Sequence, residues 1–62
     1  MLFKLISVKG TRVIDDDEVD PIEAAMAMDA ELQPAFGISV ENETGRIVAE
    51  VREGRVLFTD HW

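Results

Sequence analysis

The short apolar-rich segment from Leu2 to Val8, bounded by Lys9-Gly10, reads as a strand. Phe3, Leu5 and Ser7 fall on one face, and Leu2, Lys4, Ile6 and Val8 on the other. Lys9-Gly10 fits a two-residue turn, because glycine accepts positive φ at little cost. Thr11 to Ile14 then returns as a short second strand. After the carboxylate run Asp15-Asp16-Asp17-Glu18 the period changes to that of a helix. Asp20 suits an N-cap, Pro21 the first helical position, and Glu23 the third, completing a capping-box arrangement. The helix is predicted from Pro21 to about Leu32. At about 100° per residue, Ile22, Ala25, Met26, Met28 and Leu32 share one broad face, with Glu23, Ala27 and Glu31 opposite. Asp29 falls inside the apolar arc. It is expected at the mouth of the helix–sheet seam or turned to water.

Gln33-Pro34 stops the helix, since the residue before proline avoids helical backbone. Three further period-2 segments follow: Ala35 to Glu41, Arg46 to Val51, and Val56 to about His61. Phe36, Ile38 and Val40 share a face in the first, Ile47, Ala49 and Val51 in the second, and Val56, Phe58 and Asp60 in the third. Asn42 to Gly45 and Arg52 to Arg55 read as tight turns, the latter built on Glu53-Gly54. Short connections between such segments imply antiparallel pairing. The chain is therefore expected to be one small α+β domain spanning residues 1–62. It is a single antiparallel four- or five-stranded sheet with one helix packed on one face, in the order ββαβββ (or βαβββ if the first hairpin is one bent strand). One helix leaves part of such a sheet uncovered, with Leu2, Ile6, Val8 or Leu57 on the open side. A homodimer, formed face to face or by edge strands about a two-fold axis, is the expected cover.

Charge sharpens this picture. Between Val13 and Gly45 there are ten carboxylates and no lysine or arginine, whereas the flanks hold all six basic residues and three acids. Such a field repels polyanions and attracts basic partners. The net charge of −7 argues against direct nucleic-acid binding and against anionic membrane surfaces. There is no cysteine and one histidine, so disulfides and thiolate metal sites are excluded. The chain carries no apolar run of membrane-spanning length and no leader pattern at its start, and is expected to be a complete cytoplasmic product.

Candidate chemistry is sparse. The acids from Asp15 to Asp20 invite a cation, but an EF-hand loop starting at Asp15 would place Asp20 where glycine is required and Met26 where a bidentate glutamate is required. No metal and no cofactor are expected. His61 has no serine or acid arranged around it, since its neighbours Asp60 and Thr59 do not form a triad. Gly37, Gly45 and Gly54 are too scattered to cradle phosphate, and Lys9-Gly10-Thr11 lacks the Walker glycines. The chain is not expected to be an enzyme. The leading expectation is a small acidic protein–protein interaction module, an accessory or regulatory subunit. Its patch comprises Asp15, Asp16, Asp17, Glu18, Asp20, Glu23 and Glu31, facing a partner with a basic surface. Leu57 and Trp62 supply apolar contact. A competing expectation is an inhibitor of phage or mobile-element type that imitates nucleic acid with a stripe of carboxylates. A third is a purely structural homo-oligomer.

Overall fold

The computed structural model describes residues 1–32 and 36–60. Six elements follow in the order ββαβββ: β1 (Leu2–Ser7), β2 (Gly10–Asp15), α1 (Pro21–Leu32), β3 (Ile38–Glu41), β4 (Ile47–Arg52) and β5 (Arg55–Thr59). The strands form one antiparallel sheet in the spatial order β2-β1-β3-β4-β5. Since β2 and β3 are each antiparallel to β1, they run parallel to one another, and α1 crosses between them over one face. Among the described residues no helix is long and apolar enough to cross a membrane.

The core lies between α1 and the middle of the sheet. Phe3 and Leu5 of β1, Ile38 and Val40 of β3, and Val48, Ala49 and Val51 of β4 close on Ala25 and Met28 of the helix. Buried helix positions are Pro21, Ala25, Met28 and Asp29, with Leu32 partly buried, a stripe of the i, i+4, i+7, i+8 kind. Met26, expected on this stripe, stands at its rim and is exposed. Asp29 departs furthest from expectation. It is 1% exposed and lies within the stripe, not at its mouth. Its Oδ2 accepts the Gly54 N–H at 3.0 Å, tying the helix to the β4–β5 turn, while among the described residues its buried Oδ1 has no partner.

Four local readings are corrected by the backbone. The first turn is Val8-Lys9, with Gly10 already paired to Ser7. The Ser7 hydroxyl sets this turn, accepting the Lys9 N–H and donating to the Gly10 carbonyl. Phe36 is not a strand residue, because Gly37 at φ 76° turns the chain before β3 begins. The Phe36 ring lies exposed beneath the Lys9 ammonium, 5.3 Å from its centroid. In β4, the register shifts between Val40 and Glu41 so that Glu41 meets Ile47, leaving Val48 as an extra residue. This bulge breaks strict alternation: Val48 and Ala49 are both buried and Ile47 faces out. In β5, a second shift leaves Leu57 unpaired between Val56, opposite Val51, and Phe58, opposite Glu50. Val56 and Phe58 therefore do not share a face. The expected helix stop at Gln33-Pro34, the proposed strand start at Ala35, and His61 lie outside the described residues, as does Trp62.

Register assigns the uncovered face. Leu2, Lys4 and Ile6 of β1 share it with Thr11 and Val13 of β2, Ser39 and Glu41 of β3, Ile47 and Glu50 of β4, and Phe58 of β5. It is a mixed surface in which apolar and charged side chains interleave.

Candidate functional site

The chain leaves β2 through the acid-rich segment, and this segment is folded rather than extended. The Asp15 carboxylate accepts the Asp17 N–H at 3.0 Å, and the Asp15 carbonyl accepts the amides of Glu18 and Val19. A carboxylate two residues before an amide closes such a turn on itself, so the run that repels in an extended chain is held by its own first member. The bond from Asp17 holds the Asp15 carboxyl below its ordinary range, with the Met1 ammonium adding to this. That ammonium contacts Asp15 at 3.4 Å and Asp16 at 3.1 Å, and chiefly through Asp16 its own affinity for a proton is raised.

Asp20 caps the helix as its sequence position implies. Its Oδ1 accepts the Ile22 N–H at 2.8 Å, and its carbonyl accepts the Ala24 N–H. Among the described residues Glu23 makes no return bond, so the capping box is half made. Carboxylates here face the positive end of the helix dipole, which favours them.

Glu31 parts company with the rest of the predicted patch. It lies eight residues beyond Glu23, about 12 Å along the helix axis. There it pairs with both terminal nitrogens of Arg12, at 2.9 and 3.3 Å. Arg12 holds the Glu31 carboxyl below its ordinary range, and Glu31 raises the guanidinium in turn. Arg12 thus offsets the charge of Glu31, one member of the stripe expected of a nucleic-acid mimic. Asp17, Glu18, Asp20 and Glu23 remain together without an ionic partner among the described residues.

The fold adds carboxylates that the linear run did not include. The β3–β4 turn returns to the same end of the sheet and brings Glu41 and Glu43. It is organised by Asn42, whose Oδ1 accepts the amides of Thr44 and Arg46 and the Thr44 hydroxyl. Glu43 accepts the Leu2 N–H at 2.8 Å, fixing it beside β1. Between them runs a groove of about 490 Å³ on the uncovered face, lined by Leu2, Val13, Lys4, Glu41 and Glu43 among others. The helical crossover carries the signal: a helix running back along the sheet makes β3 parallel to β2, so Glu41 and Glu43 approach the end of β2. At the opposite end of the strands stand Lys9, Arg52 and Arg55, with Glu53 among them. Most of the central acids thus gather at one end of the molecule, with Lys9, Arg52 and Arg55 at the other. Lys4, beside the groove, and Arg46, in an ion pair with Asp60, are bases at the acidic end, and Asp29 and Glu31 are central acids held away from it.

Leu57 is 52% exposed at its bulge on the outer strand β5. The carboxylate oxygens of Asp15, Asp16 and Asp17 come within 4.8 Å of one another, a spacing hard cations use. Two of these acids are already engaged by the Met1 ammonium, and Asp15 also by the Asp17 amide. Comparison with protein-family models, curated proteins and solved structures finds no match.

Proposed function

We propose that this chain is a small acidic protein–protein interaction module, an accessory or regulatory subunit acting in the cytoplasm. It docks its acidic end on a basic surface of a partner. The reading is carried by one observation: Asp17, Glu18, Asp20 and Glu23 stand together at a capped helix start, without cationic partners among the described residues, on a loop fixed by Asp15. Fixed charges lose little freedom on binding, and this strengthens attraction to lysine and arginine side chains. The groove beside Glu41 and Glu43 adds apolar walls at Leu2 and Val13, which suit the aliphatic stems of such residues.

The test is a pull-down from the native host, repeated with the triple variant Asp17→Asn, Glu18→Gln, Glu23→Gln. Asp15 is left intact because it holds the turn. A partner retained by the native chain, lost with the triple variant and released by salt is the expected result. Retention of every partner by the variant would move the interface elsewhere. Duplex DNA competing for the same partner would favour the mimic reading over a general docking role.

A further inference from the structure

The two edges of the sheet differ. β5 is interrupted by the bulge at Leu57, a feature that discourages strand addition. β2 pairs with β1 over six consecutive residues without irregularity. The bond from the Asp16 amide to the Met1 carbonyl sets the alternation along this pair. Gly10, Arg12 and Ile14 direct their backbone groups to β1, so Thr11 and Val13 direct both N–H and C=O outward, as Asp15 does its N–H. Gly10 through Val13 are exposed, and Val13 is 60% exposed. An ordered edge of this kind is a template for another strand.

We propose that β2 pairs with β2 of a second copy about a two-fold axis at Val13, joining two sheets into one of ten strands. This goes beyond the docking role above and rests on different backbone. The axis stands perpendicular to the sheet, so both helices lie on the same face. Only residues with outward backbone groups can exchange bonds, which leaves three well-overlapped registers. Centring on Arg12 sets two arginines directly opposite, which is unfavourable. Centring on Ile14 pairs only Val13 with Asp15 within the strands. Centring on Val13 lets the two Val13 residues exchange both backbone bonds, and gives each Thr11 carbonyl the Asp15 amide of the other copy. On the uncovered face the Thr11 hydroxyl meets that same Asp15 carboxylate. On the helix face Arg12, already neutralised by Glu31, has Asp16 and Arg12 of the other copy as its diagonal neighbours, so the two arginines are set apart along the strands instead of directly opposite. The Lys9 turn comes alongside Asp17, and its ammonium reaches it by leaving the Phe36 ring. Each copy thus sets its N-terminal bases against the acidic loop of the other, a complementarity that offsets the repulsion of two chains at −7.

The experiment measures mass in solution by light scattering and sedimentation, with no other protein present. The native chain is expected to be a dimer that persists at high salt, whereas docking through the acidic end weakens there. Val13→Glu places two carboxylates on the axis yet faces Lys4 within its own sheet. It is expected to leave circular dichroism unchanged while weakening the dimer by about tenfold or more, with melting lowered only as far as the lost association requires. The chain has no cysteine, so Val13→Cys reports directly: a short thiol-specific crosslinker should link two copies, and Phe58→Cys on β5 should not link. A native chain that stays monomeric at every concentration, a Val13→Glu dimer of unchanged affinity, or Val13→Cys failing to cross-link would each overturn the proposal. Asp17 serves both contacts, so the pull-down is repeated with Val13→Glu: a partner kept by that variant and lost with the triple acid variant separates the docking role from the dimer.

Discussion

At the scale of single residues, Asp29 matters most to the architecture and was the least legible. Its angle on the helix was plain from the sequence, but a carboxylate in an apolar arc is ordinarily turned to water. What reverses this is the Gly54 amide, donated across the helix–sheet seam from a turn 25 residues away, which no local pattern contains. Asp29→Ala removes that acceptor and leaves a buried amide without a partner, so urea unfolding should show a loss of about 1–3 kcal/mol. Asp29→Asn keeps an acceptor oxygen and should lose less. Asp20 was legible because its chemistry is local: Asp20→Ala should lower stability by about 1 kcal/mol in the same measurement. Acid sensitivity belongs at this scale too. The Asp15 and Glu31 carboxyls lie below their ordinary values of 3.8 and 4.5, so near those values the folded chain binds fewer protons than the unfolded one. The stability they contribute is fully present above about pH 5 and is lost as the pH falls through the lowered values. The melting temperature should therefore drop on acidification, and in Glu31→Gln the drop should be shallower. An unchanged acid limb in that variant would show that the Arg12 pair contributes nothing.

At the scale of elements, the helix bounds and the number and order of the elements could be read from periodicity, caps and turn residues. The faces of β4 and β5 could not, because each register shift moves one residue out of alternation. Val48 entered the core and Ile47 left it through a single bulge. The same limit applied to Phe36, whose place was decided by the positive φ of Gly37. The β4–β5 turn was readable from Glu-Gly, and its geometry carries a prediction. Glu53 and Gly54 both have positive φ, at 53° and 73°, the arrangement of a type I′ hairpin turn. Glutamate tolerates that backbone poorly, whereas asparagine favours it. Glu53→Asn should raise stability by about 0.5–1 kcal/mol in chemical unfolding. Gly54→Ala should lower it by about 1 kcal/mol through backbone strain alone, since space for the methyl is open.

At the scale of the whole molecule, the unequal distribution of charge along the chain was visible at once, but its meaning changed on folding. The acid-rich run from Asp15 to Glu23 became one end and was joined there by Glu41 and Glu43, while Glu31 was held away by Arg12. Loss of partner binding with the triple acid variant, and retention with Glu31→Gln, is the outcome that fits this geometry. The basic end predicts the converse: Arg52→Gln with Arg55→Gln should leave that partner bound. Placing the acids at an end of the strands rather than across a face has a further consequence for lifetime. The molecule exposes 3958 Å² in all, so the roughly 800 Å² that each side of a durable complex buries would take about a fifth of its whole surface, more than one end supplies. Under the proposed docking role, contact through one end alone is expected to form quickly under attraction and to release quickly. That role is then one of repeated visits to a partner, not of permanent residence.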